Sequence, residues 1–222
     1  MPTAPADHDL EVQSLVRDEL GWTPDVDAAD IGVSVVDGAV TLSGTVSTYP
    51  QKVAAKKAAL RVRGVRTLVD ELTVDPGGAS AHVGETQLAR AVDRALTHAD
   101  NIPETVTAAV HEHNVMLMGE VTWDFERQAA VHAIESLRGV QSISNGITLR
   151  PRPPAADAEQ RIREALARYD GVGPDTVDVV VDGTRATLTG TVKSWAQRRM
   201  ASTITWSSPH ITEVDNRIAV TA

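Results

Sequence analysis

The sequence predicts an α+β fold: three tandem copies of an α-β-β-α-β domain, each a mixed three-stranded sheet with two helices on one face. A seven-residue stretch recurs at residues 40–46, 115–121 and 186–192, always with leucine third and glycine fifth. Leu72, Ile147 and Ile218 each follow that glycine by 28 residues. A spacing kept without gaps indicates one fold repeated three times. The predicted domains are residues 7–75, 84–150 and 157–222.

Each copy is predicted to begin with an amphipathic helix and a β-hairpin. Apolar residues recur at helical spacing in 10–20, 88–98 and 161–169, and a proline follows each segment. Runs rich in β-branched residues at 31–36, 106–110 and 177–181 predict the first strand. Asp37-Gly38 and Asp182-Gly183 suit tight turns, so the recurring stretch is expected to pair back on that strand.

The recurring stretch predicts the core of each copy. Its period of two places leucine and glycine on one face, which we assign to the core. Glycine within a strand marks a bulge or the close approach of another backbone, and we expect a helix to pack over it. These signature residues are Leu42, Leu117, Leu188, Gly44, Gly119 and Gly190.

A second helix and a last strand complete each copy. Thr48 with Gln51, and Ser194 with Gln197, have the spacing of a capping box, and copy two keeps an acid at Glu126. We predict that this helix packs through an apolar line that begins at residues 54, 129 and 200. Residues 75–83 predict a flexible joint and residues 150–154 a stiffer one.

Composition excludes several kinds of function. The chain has no cysteine, so it has no disulfide, no thiolate metal site and no thiol nucleophile. A formal net charge of −9 disfavours nucleic acid as a partner. We predict neither a transmembrane segment nor a signal peptide, and therefore a cytoplasmic location. Because the copies share no histidine or acidic pair, we predict no catalysis and no cofactor.

The motifs resemble the BON domain, the bacterial osmotic-shock-protein and nodulation domain. The resemblance is carried by residues 189–199, Trp206 and 213–220 of copy three, by Gly44-Thr45-Val46 and Arg63-Gly64-Val65 of copy one, and by Gly119 and Arg138-Gly139-Val140 of copy two. It implies non-catalytic modules linked to osmotic or envelope stress. Phospholipid binding is proposed for some members and potassium sensing for another.

Four groups of side chains are candidates for binding. Asp70, Asn145 and Asn216 share one position and could complete a bulge or help to coordinate a cation. His111 and His113 could hold a metal or form a solvated turn. Basic residues of the second helix in copy one could meet phospholipid head groups or face solvent. Met116 and Met118 could pack on a neighbouring copy or on an outside partner. The basic candidates are Lys52, Lys56, Lys57 and Arg61.

Together these features predict a binding or scaffolding protein without enzymatic activity, associated with osmotic or general stress. One alternative is a sensor of potassium, calcium or a small ligand held between domains. Another is a peripheral adaptor for anionic phospholipid.

Overall fold

The computed structural model of the protein describes residues 7–75, 77 and 83–221. The flexible joint predicted at residues 75–83 lies largely outside the described residues. By the density of their contacts, residues fall into two compact units. The first unit contains residues 1–119 and 128–147, and the second contains 120–127 and 148–222.

The first two copies have the predicted order of elements. Copy one contains α1 (Asp7–Trp22), β1 (Ile31–Val36), β2 (Ala39–Val46), α2 (Tyr49–Ala59) and β3 (Thr67–Val74). Copy two contains α3 (Glu85–Thr97), β4 (Thr107–His111), β5 (Asn114–Val121), α4 (Asp124–Glu135) and β6 (Ser142–Leu149). The sheet orders are β1-β2-β3 and β4-β5-β6, with the recurring stretch as the central strand.

Copy three repeats this order with a broken last strand. It contains α5 (Ala158–Leu166), β7 (Val177–Asp182), β8 (Arg185–Val192), α6 (Trp195–Trp206), β9 (Glu213–Asn216) and β10 (Ala219–Val220). Both β9 and β10 run parallel to β8 on the side away from the antiparallel β7, so they occupy one strand position. In copy one β3 is likewise parallel to β2 and β1 antiparallel. The predicted mixed sheet is confirmed.

A core of small aliphatic residues holds each sheet to its helices. Leu42, Leu117 and Leu188 are each 0% exposed, as their shared position predicts. In copy one the buried faces of α1 and α2 and of all three strands join in a single cluster, so both helices cover the same face. Burial of a leucine side chain contributes roughly 1.5–3 kcal/mol, which matters in domains this small.

The predicted apolar line of the second helix is buried only in part, and the most buried line begins one position later. Ala55, Ala130 and Ala201 are 0% exposed, whereas Met200 is 39% exposed. Of the predicted line, Ala58 is also 0% exposed, and Ala54 and Val62 are partly buried against the core. Because alanine is weakly apolar and occurs on several faces of these helices, the pattern did not fix the buried face.

The recurring glycine is required by a backbone carbonyl and not by a helix. A Cβ added to Gly44 would lie 2.0 Å from the Asp30 carbonyl oxygen. A Cβ added to Gly119 would lie 2.2 Å from the Thr105 carbonyl oxygen, and one added to Gly190 would lie 2.2 Å from that of Thr176. Thr105 and Thr176 come shortly before β4 and β7. The glycine φ angles are 109°, 126° and 119°, a region that other residues rarely adopt. The predicted close approach of a backbone is confirmed, but the predicted helix over the glycine is wrong.

We predict that Gly44→Ala destabilises copy one strongly, because it forces a methyl group onto a carbonyl and strains φ. We expect a loss of roughly 2–4 kcal/mol in the free energy of unfolding, measured by urea denaturation followed by circular dichroism.

Gly21→Ala is the matched control, since nothing lies within 4 Å of an added Cβ there and the residue is within α1. That variant should gain up to about 1 kcal/mol. Equal stabilities for the two variants would contradict this account of Gly44.

Candidate functional site

Most repeated polar residues are used to hold the fold, beginning with the capping boxes. The Gln51 backbone N–H donates to Thr48 Oγ1 at 3.3 Å, and the Ser47 backbone N–H donates to Gln51 Oε1 at 3.0 Å. Ser194 and Gln197 repeat the arrangement at α6. At α4 the Glu126 carboxylate accepts from the amides of Thr122 and Trp123, both at 2.8 Å. These contacts confirm the predicted starts of the second helices.

An acidic residue in the first turn of each first helix binds the β-hairpin, which the sequence reading missed. Asp9, only 6% exposed, accepts from the amides of Asp37 and Gly38 at 2.9 and 3.0 Å. Glu85 accepts from the Glu112 amide, and Glu159 accepts from the Val181 amide at 3.0 Å. The acids differ in their spacing from the recurring glycine, so alignment of the copies does not reveal them.

The repeated Asp or Asn of the last strand closes a local turn. Its side-chain oxygen accepts from the amide two residues later: Leu72 for Asp70 at 3.2 Å, Ile147 for Asn145 at 3.1 Å and Ile218 for Asn216 at 3.1 Å. Of the two interpretations offered for this position, the contacts support the completed bulge. A cation would have to compete for an oxygen that is already hydrogen-bonded.

Most of the predicted phospholipid contacts are paired with carboxylates of copy one. Lys52 and Lys56 lie 3.4 and 2.9 Å from Asp70 Oδ2, and Lys52 Nζ also donates to the Leu72 carbonyl at 2.5 Å. Arg61 pairs with Glu19 at 2.7 Å. Lys57 is exposed. Four basic side chains thus face two carboxylates, so the ion pairs reduce the positive charge of this face without cancelling it.

These lysines also set the titration of Asp70. Burial by itself raises the pKa of this carboxyl, but the hydrogen bond and charge of Lys56, the charge of Lys52 and the Leu72 amide outweigh it. The pKa of Asp70 is lowered as a result. The carboxylate therefore contributes stability that is present at neutral pH.

The histidines of copy two belong to its hairpin turn. His113 has a φ of 63°, and its Nδ1 lies 3.0 Å from the Gly139 carbonyl oxygen. Within the parts of the chain that the structure describes, no group of three His, Cys, Asp or Glu side chains is placed to hold a metal ion. The turn interpretation is the better supported one.

The candidate interaction surface is the outer face of the copy-two sheet around Met116 and Met118. The two methionines are 50% and 39% exposed, and they pair across β4 with Ala109 and Thr107. We call these four residues the methionine face. Long thioether side chains beside small neighbours form an adaptable apolar surface.

The same positions differ in the other copies. Copy one has Thr41 and Ser43 where copy two has its methionines, and copy three has threonines. In copy three, moreover, Arg185 beside them forms an ion pair with Glu213 at 2.8 Å. The methionine face is therefore a property of copy two.

One pocket lies within the first unit. Its volume is about 240 Å³, and residues 47–50, 74 and 136–141 line it. Tyr49 lies there, and its pKa is raised by burial and further by the negative charges of Glu135 and Asp70. The phenol is thus neutral at physiological pH.

Comparison with known protein families identifies the fold. The model of the BON domain matches residues 8–76, 84–151 and 154–222. The chain belongs to the BON domain family. Comparison with curated protein sequences gave no match.

Among solved structures, this chain of three BON domains is similar to two described as CdsD, a structural protein of the type III secretion system of Chlamydia trachomatis. The first, its C-terminal domain, is 12% identical, with all of both chains covered and a TM-score of 0.27. The second is 13% identical over 95% of this chain and 92% of that one, with a TM-score of 0.24. Scores of this size support no functional conclusion.

Arginine–tryptophan contacts mark the second unit. Arg152 lies 4.0 Å from the centroid of the Trp123 ring, and Arg127 lies 4.5 Å from that of Trp206. Each such contact contributes roughly 0.5–1 kcal/mol at an exposed site. Arg152 belongs to the segment predicted as a stiff joint, and that stiffness stays a prediction. The sequence does not indicate these arginine–tryptophan pairs.

No helix in the described ranges 7–75 and 83–221 is both long and apolar enough to cross a bilayer.

We predict that Asp70→Asn lowers stability at pH 7 by about 1 kcal/mol or less, the usual range for a partly exposed ion pair. Asparagine keeps the turn, as Asn145 and Asn216 show, but it loses the two lysine pairs. Because the folded-state pKa of Asp70 is lowered, this difference should begin to shrink as the pH falls below about 4 and vanish only below that lowered pKa. Urea unfolding at several pH values measures it; a difference that grows toward acid pH would contradict the assignment.

Proposed function

We propose that this chain of three BON domains is a non-catalytic binding or scaffolding protein associated with osmotic or general stress. The repeated polar residues support this proposal, since they are occupied in capping helices and closing turns. A catalytic site needs titratable groups within mutual reach that the fold leaves available, and the repeated positions supply none. Family membership agrees with a non-catalytic role.

The observation that carries the proposal is the methionine face. Exposed apolar residues grouped on a flat sheet favour contact with another protein. At equivalent positions its two sister domains present hydroxyl side chains, which suit solvent. A surface that differs between otherwise similar domains is the natural place for a binding function.

The alternatives have weaker support. A potassium or calcium sensor needs several free oxygen ligands, and the repeated Asp and Asn oxygens already accept backbone hydrogen bonds. Three of the four cations that a phospholipid adaptor would use, Lys52, Lys56 and Arg61, are paired with Asp70 or Glu19. For a small ligand held between domains, the pocket lined by residues 47–50, 74 and 136–141 has about 240 Å³, just below the roughly 300–1,000 Å³ usual for ligand sites. A second pocket, which Thr23, Lys57, Arg61 and Glu135 help to line, has about 560 Å³ and is within that range.

We predict that the double variant Met116→Thr/Met118→Ser loses the protein partners captured by the full chain from its native cell. The substitutions install the residues of copy one, so the sheet should still fold. Quantitative mass spectrometry of the captured proteins measures the loss, which we expect to be about tenfold or more, equivalent to roughly 1.4 kcal/mol.

Val180→Thr is the matched control, because Val180 is 53% exposed on the copy-three sheet. It should leave the captured set unchanged. Retention of every partner by the double variant would refute binding through the methionine face.

A second prediction concerns ions. Replacing sodium by potassium at constant ionic strength, or adding millimolar calcium, should shift Tm by less than about 1 °C. An ion that binds the folded state raises Tm by mass action, and the proposed function includes no such ion. Differential scanning calorimetry measures the shift, with magnesium as a control for non-specific screening. A larger shift with potassium or calcium alone would favour the sensor alternative.

A further inference from the structure

The first and third BON domains cover an edge carbonyl with a long side chain from their first helix. In the first domain the Gln13 side-chain amide donates to the Val33 carbonyl at 2.6 Å. In the third domain Arg163 donates to the Val179 carbonyl at 2.8 Å. Both acceptors lie on the edge strand that pairs with the recurring stretch, directly opposite its leucine. This contact closes the gap between the helix and the sheet edge.

The second domain lacks this cover. Ala89 follows the buried Leu88 as Gln13 follows the buried Val12, so Ala89 takes the position of the long side chain. The equivalent carbonyl belongs to Ala108, which also lies opposite the recurring leucine. A methyl group cannot donate a hydrogen bond. Helix α3 therefore leaves the edge of β4 open at this position.

A groove of about 490 Å³ occupies the open space between α3 and β4. This volume is within the roughly 300–1,000 Å³ of known ligand sites. The charged residues that line it, Asp93 and Glu104, are both acidic and exposed. Its apolar lining includes Ala89, Val92, Leu96, Ile102, Val106 and Ala108.

We propose that this groove binds an extended peptide segment carrying a basic side chain, and that the segment adds to the β4 edge as a further strand. An edge strand offers unpaired amide and carbonyl groups that an incoming main chain can pair with. Alternate side chains of that segment would enter the space beside Ala89. A lysine or arginine would face Asp93 and Glu104, which gives the charge complementarity.

This interface rests on the binding function proposed above. It shares Thr107 with the methionine face, but Met116 and Met118 do not line the groove. The two can therefore be tested separately. The double variant Met116→Thr/Met118→Ser should bind the peptide described below as the unchanged chain does.

The test is a titration of the ¹⁵N-labelled full chain with a synthetic peptide of alternating valine and lysine, followed by amide chemical shifts. Shifts should be confined to α3, β4 and the loop between them, and a peptide with glutamate in place of lysine should bind at least about tenfold more weakly. Ala89→Gln restores the side chain of the first domain and should weaken binding by about tenfold or more while leaving the fold intact.

Thr86→Gln is the matched control, because it adds the same side chain to an exposed position of α3 that does not line the groove. It should bind the peptide normally. Three outcomes would overturn the proposal: unchanged binding by Ala89→Gln, no shifts at millimolar peptide, or the same shifts with butylammonium chloride alone. The last would assign the groove to a small organic cation.

Discussion

A backbone carbonyl packed against a glycine sets the geometry of each BON domain. The carbonyl just before the first strand occupies the space of a side chain at Gly44 and at Gly190. The same carbonyl oxygen accepts a hydrogen bond from the backbone amide of the residue that follows the glycine, which is Thr45 at 3.3 Å and Thr191 at 3.0 Å. This contact joins the end of the helix-to-strand loop to the central strand, so the first strand pairs in a fixed register. That register places in the core the leucine that precedes the glycine by two residues.

The sequence predicted a close backbone contact at the recurring glycine, but it did not identify the carbonyl that makes the contact. Three glycines in one register indicated a close backbone approach, because glycine is costly within a strand unless space or φ requires it. A period-two pattern does not indicate which backbone segment approaches the glycine, and the prediction of a helix there was wrong. The buried face of the second helices was predicted only in part, since their alanines gave a weak apolar contrast. Element order, sheet type and the buried leucines were predictable because they depend on spacing alone.

Pairings between distant residues could not be predicted. Asp70 and the lysines of α2 lie 14 and 18 residues apart, and their proximity depends on how α2 crosses the sheet. The same holds for Asp9 and the turn at Gly38, 29 residues away. The basic character of α2 was visible in the sequence, but its ion pairs with Asp70 and Glu19 were not. Charge patterning alone therefore suggested a phospholipid surface that the ion pairs make less favourable.

Function is best sought where the copies differ. Shared residues maintain three small folds, whereas the second BON domain replaces surface hydroxyl groups with methionine and a covering glutamine or arginine with Ala89. Both changes expose apolar surface or an open strand edge, and both occur in one domain. An absent side chain is difficult to notice in a sequence, because its absence has meaning only after the copies are placed in register by their structure.

Amide hydrogen exchange at Thr45 and Thr191, measured by NMR on the full chain, tests the central contact most directly. If the carbonyl before the first strand organises each domain, these amides should be protected as strongly as those of the core strands. Exchange at the rate of an exposed loop would contradict the account.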